Sequence, residues 1–241
     1  IAGVSFLAYV AIRVLGAGRG LFLGAAAGAL VSSTAVMLDL ARRTRALPPA
    51  PVASAGAGLL AGAVMAARVA IIAGVMAPAL LWRILPPLAA FCLVSLAAAA
   101  VMARAARTTM PAQAGSTGTA NPFELGAVAK FALVLGLIIA GARILTGLYG
   151  AENLPLVAAV AGLVDVDALT LAVGEMTAKG LALSIGAAAI LTAVAVDTAS
   201  KTVIALVVGG RRFGLLVGAG SALATLAGAA AFLLAPLWLP L

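Results

Sequence analysis

Ala29-Leu30-Val31-Ser32-Ser33-Thr34-Ala35-Val36 returns 133 residues later as Gly162-Leu163-Val164-Asp165-Val166-Asp167-Ala168-Leu169. Each octet lies inside a long apolar run and carries its polar groups at the same place, hydroxyls in the first and carboxylates in the second. The register holds without a gap as far as Arg68, whose counterpart is Lys201, a base matched to a base. Polar groups inside an apolar segment are expensive in lipid and persist where they serve a path or a site. Many transporters are built from two related sets of helices meeting around such segments. The octets therefore predict an all-α polytopic transmembrane helical bundle, with about eight spans in two repeated four-helix halves.

Composition points the same way. The chain is 65% hydrophobic and only 9% charged, with a mean hydropathy of +1.24, whereas a soluble domain carries roughly 25% charged residues. The apolar runs are too long for a transmembrane β-barrel, whose strands alternate over about ten residues. The net charge of +8 does not mark a nucleic-acid partner. Most bases sit at the ends of apolar runs, where they set topology or touch lipid headgroups. Cys92 is the single cysteine and there is no histidine. That removes internal disulfides, histidine metal sites, Cys–His nucleophile pairs and histidine proton relays.

Working outward, the apolar runs give spans at Ile1–Leu15, Gly20–Ala41, Val52–Leu81, Leu85–Ala103, Pro122–Tyr149, Leu154–Ala178, Leu181–Val208 and Phe213–Leu239. Residues 1–107 then form the first repeat and 122–241 the second. The stretch 108–121 between them, small, polar and free of aromatics, reads as an exposed linker. Pro122 and Glu124 suit the first turn of the helix that follows it. Outside the octets the likeness is thin but ordered. Arg13-Val14-Leu15-Gly16 aligns with Arg143-Ile144-Leu145-Thr146, and three extra residues around Ala151-Glu152-Asn153 restore the register. Helices rich in Ala, Leu and Val also align by chance, so that explanation stays open. Four spans per half make the repeats parallel and an odd number inverts them; a re-entrant segment would change the count. With eight spans, Arg42, Arg43, Arg45, Arg104, Arg107 and Lys179 fall on one side, read as cytoplasmic. Arg19, Arg83, Arg211 and Arg212 fall on the other.

The polar residues carry the candidate chemistry. On a regular helix, Asp165 and Asp167 point about 200° apart. They can share a ligand only if the backbone unwinds, which Gly162 and Pro155 permit. Paired carboxylates, with Thr170 nearby, suit a hard cation such as Mg²⁺ held through oxygen. They also suit proton coupling, since an apolar surrounding favours the neutral acid. Alternatively they neutralise bases on neighbouring helices. Ser32, Ser33 and Thr34 are either a second polar wall of the same site or hydroxyls bonded to carbonyls of their own helix. Arg68 has no acid in its own span, so it should reach Asp165 or Asp167, or bind an anionic group. Lys201 has Asp197 four residues before it, a spacing suited to a structural ion pair. Asp39 reads as a surface partner of Arg42 or Arg43, and Glu175 is ambiguous. Gly24-x-x-x-Gly28, Gly58-x-x-x-Gly62 and Gly214-x-x-x-Gly218 fit close helix contacts, within the chain or in a homo-oligomer. There is no phosphate-binding Gly-x-x-x-x-Gly-Lys-Ser/Thr loop and no nucleophile–base motif, so an enzyme is not expected and no cofactor is called for.

Arg13-Val14-Leu15-Gly16, Gly20-Leu21, Gly28 to Val36, Ala41-Arg42-Arg43, Asn121 to Leu125, Lys130-Phe131-Ala132, Gly162 to Ala168 and Lys201 together resemble the C-terminal membrane domain of MgtC/SapB-family proteins. The specific blocks are Leu-Val-Ser-Ser-Thr-Ala and Asp-Val-Asp-Ala. One departure is Asp197, where the family pattern tends to carry Asn. The resemblance implies a bacterial inner (cytoplasmic) membrane, a link to magnesium and an MgtC-like domain ahead of this one, in keeping with a chain that opens on Ile1. The resulting expectation is a membrane transporter or channel for an ion or small solute, with Mg²⁺ leading and a polar site between the repeats. Its alternatives are a regulatory or scaffold subunit that binds lipid or a partner protein, and an anion or anionic-lipid carrier using Arg68.

Overall fold

The computed structural model describes residues 17–46, 51–107, 153–163 and 165–234, and every regular element among them is helical. The described helices are α1 (Ala17–Ala46), α2 (Pro51–Met76), α3 (Pro78–Arg107), α4 (Leu154–Gly162), α5 (Val166–Ala178), α6 (Leu183–Gly209) and α7 (Arg211–Leu234). Five of these, α1, α2, α3, α6 and α7, are long and apolar enough to cross a membrane, as an integral membrane protein requires. A hydrocarbon core of about 30 Å takes about twenty helical residues. Ile71, Val75, Trp82, Leu93, Val101, Val207, Leu226 and Leu233 leave large apolar side chains exposed along them, as lipid-facing surface would.

Three expectations change here. The expected spans Ile1–Leu15 and Pro122–Tyr149 and the linker 108–121 lie outside the described residues, among which five helices rather than six spans are long and apolar enough to cross. The expected span Leu154–Ala178 is two short helices, because the chain leaves helical geometry at Asp165. The corner between the third and fourth spans sits at Ala77 rather than near Arg83. Ala77 still donates its N–H to Ala73 O at 2.8 Å, but the ring of Pro78 disfavours helical geometry at the residue before it. Pro78 then opens α3, where a missing N–H is harmless. Pro86 and Pro87 lie inside α3. The corner between α6 and α7 is made by Gly210, whose φ of +87° suits only glycine.

The chain divides into two compact units, each drawn from both sequence halves. Unit 1 comprises Ile1–Met65, Phe91–Phe123 and Lys201–Leu226; unit 2 comprises Ala66–Ala90, Glu124–Ser200 and Ala227–Leu241. In unit 1 the core is Ala25, Met37, Leu40, Ala41, Ala55, Ala57, Ala205, Phe213 and Val217. Here α1 bends sharply at Ser32, the one residue inside it with non-helical angles. A Cβ on Gly28 would fall 2.7 Å from the Val36 side chain, although eight residues of straight helix span about 12 Å. Phe22 and Leu40 would be about 27 Å apart in a straight helix. Phe22 nevertheless reaches Gly56 and Leu40 reaches Gly58, on one turn of α2.

Unit 2 is built around Val69, Leu80, Ile84, Leu154, Leu169, Val173 and Ile190, all fully buried. Glycines bring its backbones together. A Cβ on Gly162 would meet the Ala193 backbone at 2.7 Å, and one on Gly186 would crowd Thr177, Leu80 and Val173. The α4–α5 segment is thereby held directly against α6, with its break at a fixed height along that helix.

Candidate functional site

Unit 2 holds the first polar cluster, at the break between α4 and α5. Asp165 is extended (φ −162°, ψ 114°) and caps α5. Its Oδ1 accepts from the N–H groups of Asp167 at 2.8 Å and Ala168 at 3.1 Å. Asp is a favoured cap because its carboxylate meets N–H groups that have no partner in their own helix. Asp167, in the first turn of α5, adds a second negative charge at the positive end of that helix. It accepts a hydrogen bond from the Arg68 guanidinium of α2. Their side chains are 14% and 24% exposed, so the pair is largely sheltered and each charge offsets the burial of the other. The two carboxylates therefore turn apart, one to its own helix end and one to α2. Thr170 is fully buried and donates to Val166 O at 2.8 Å, a bond within its own helix.

Unit 1 holds a second cluster of the same construction. Ser32 is extended (φ −156°, ψ 106°), and its Oγ accepts from Ala35 N at 3.2 Å. Ser33, the next residue, is buried, and Thr34 is half-buried. Lys201, in α6, is 5% exposed. Its ammonium donates to Ser33 Oγ at 2.7 Å and to Met65 Sδ at 3.3 Å. Asp197 is also buried, on the stretch of α6 belonging to unit 2.

The structure thus joins Arg68 to Asp167, and Lys201 to Ser33. It leaves Asp165, Ser32 and Thr170 hydrogen-bonded within their own segments. The capping roles of Ser32 and Asp165 were missed from the sequence, although Ser and Asp are favoured residues for that position. Deep in an apolar run, such a residue reads as mid-span rather than as a helix start. Met65 had no signal at all. Among the described residues no group of three or more His, Cys, Asp or Glu side chains is placed to hold a metal ion. In the geometry seen here, a cation at Asp167 would compete with a guanidinium already bound. Opening that pair would present a carboxylate to a cation and a guanidinium to an anion.

Residues 1–209 match the family described as Domain of unknown function (DUF4010), and the chain belongs to that family. No curated protein and no solved structure matches it.

Proposed function

With membership of DUF4010 as the premise, we propose that this chain is a membrane transport protein for an ion or small solute, working through two capped helix breaks. The carrying observation is that Ser32 and Asp165 break apolar helical segments with nearly the same backbone angles. Each caps the N–H three residues on, and each break is met by a long side chain bearing a base. Broken helices ending in charged and polar groups are the usual form of a binding site in transporters.

The same observation supports a duplicated architecture. α2 and α6 end 133 residues apart, and α3 and α7 start 133 residues apart, the offset of the two octets. In each cluster the base comes from the other sequence half. The resemblance to the C-terminal domain of MgtC/SapB proteins, and with it the bacterial inner membrane, belongs to this proposal. So does Mg²⁺ as the first cation to test, since Asp167 would offer it a carboxylate oxygen once Arg68 swings away.

A regulatory or scaffold subunit is the second reading, favoured by one observation: the Arg68–Asp167 pair is closed as it stands. An anion carrier has less support, because the Arg68 guanidinium is already engaged by a carboxylate. Purified protein in liposomes, loaded with indicators for Mg²⁺, protons and phosphate, separates the three. Transport predicts Mg²⁺ or proton flux that Arg68→Gln alters and Asp167→Asn abolishes, with both proteins still folded. Phosphate flux lost in Arg68→Gln would select the carrier. No flux of any of these in folded protein would overturn transport in favour of the scaffold.

A further inference from the structure

Unit 1 gathers arginines that the sequence reading places on opposite sides of the membrane. A Cβ on Gly209, at the end of α6, would lie 3.1 Å from Ala41 Cα in α1. Phe213 of α7 shares a core cluster with Leu40 and Ala41. Arg211 and Arg212 therefore start α7 beside Arg42, Arg43 and Arg45 at the end of α1. Met102 of α3 packs on the same cluster and against Gly56, which brings Arg104 to that end too. The assignment of Arg211–Arg212 to the side opposite Arg42 is corrected by these contacts. The break at Asp165 supplies a physical reason, because it replaces an expected span between Arg42 and Arg211 with two short helices and so changes the count of crossings.

Six guanidinium groups meet a single described acid there, Asp39, which pairs with Arg43 at 2.7 Å. Arg42, Arg45, Arg104, Arg211 and Arg212 are exposed. Unit 2 shows no such excess. Its described bases Arg68, Arg83 and Lys179 face four acids, Asp165, Asp167, Glu175 and Asp197. All six arginines stand at the ends of long apolar helices, where phosphate groups of a bilayer lie. Guanidinium groups bind phosphate oxygens in pairs, and an arginine near an anionic leaflet adds about fivefold to partitioning.

We propose that this arginine-rich end of unit 1 faces the cytoplasm and binds the headgroups of anionic phospholipids. The inference is independent of transport. It is tested by mass spectrometry of lipids retained by the purified protein from bilayers of equal phosphatidylglycerol and phosphatidylcholine. Wild type should retain phosphatidylglycerol preferentially. The variant Arg42→Gln, Arg43→Gln, Arg211→Gln, Arg212→Gln should lose most of that preference, while Arg83→Gln with Lys179→Gln keeps it. The corresponding four-lysine variant should keep part of it, which separates lost charge from lost folding. In wild type the preference should fall as salt rises, because exposed charges are screened. Equal retention in the four-glutamine variant, or a preference unaffected by salt, would overturn the proposal. Displacement of the lipid by millimolar inorganic phosphate would reassign the surface to a free anion. Labelling of Arg45→Cys, in a Cys92→Ser background, by an impermeant maleimide from the periplasmic side would overturn the orientation.

Discussion

At the scale of single residues, what matters is how each buried charge is answered. Arg68 and Asp167 answer each other, while Asp165 answers the end of its own helix. The two acids stand two positions apart, yet their substitutions should behave differently. Asp165→Asn keeps a side-chain oxygen that caps well, so it should lower stability by no more than about 0.5 kcal/mol. Asp165→Ala should cost about 1 kcal/mol. Asp167→Asn removes the charge beside Arg68 and should cost about 3 kcal/mol. Thermal unfolding in detergent measures the order. A double-mutant cycle is sharper. Arg68 should couple to Asp167 by more than about 1 kcal/mol and to Asp165 by less than about 0.5 kcal/mol. The reverse order would show that the ion pair is not what holds α2 to the break. Arg68 was legible in the sequence as a base needing an acid, because its own span offers none. Which acid it takes was not legible, because the choice depends on the cap that turns Asp165 away.

At the scale of elements, the long apolar helices were readable from hydropathy alone, and the unwinding near Asp165 from the pairing of Gly162 with two close acids. The corner at Ala77 was not. Pro78 and the Pro86–Pro87 pair are competing turn signals on local chemistry, and tertiary packing selects between them by burying Pro87 inside α3. The bend of α1 at Ser32 was also hidden, since three hydroxyls in an apolar run fit a straight helix equally well. Glycines allow a direct test of these packings. A Cβ on Gly162 would strike the Ala193 backbone at 2.7 Å, whereas one on Gly58 would meet the flexible tip of Met37 at 2.9 Å. A side-chain tip can rotate aside and a helix backbone cannot. Gly162→Ala should therefore lower the unfolding temperature clearly and Gly58→Ala barely. Equal effects would mean that α4 does not rest on α6 as described.

At the scale of the whole molecule, sequence halves and compact units are different partitions of one chain. Unit 1 takes residues 1–65 and 91–107 from the first half, and 201–226 from the second half. Unit 2 likewise needs Ala66–Ala90 from the first half to complete a core made mainly of second-half residues. Neither half alone contains all the parts of either unit. Val69, Leu80 and Ile84 are fully buried in unit 2. Without them, Leu154, Leu169 and Val173 would lose apolar neighbours in that core, and Asp167 would lose Arg68. Two fragments, 1–107 and 122–241, should therefore be degraded when made singly. They should accumulate and co-purify when made together, because every described helix is intact in that pair. Asp167→Asn in the second fragment should weaken the complex, while Asp165→Asn should not, since only Asp167 bonds to the first fragment through Arg68. Recovery of either fragment folded and alone would show that a half can build its own core, and would refute the interleaved division of the chain. Recovery of the pair, with that difference between the two aspartates, would tie the ion pair at the helix break to the assembly of the protein.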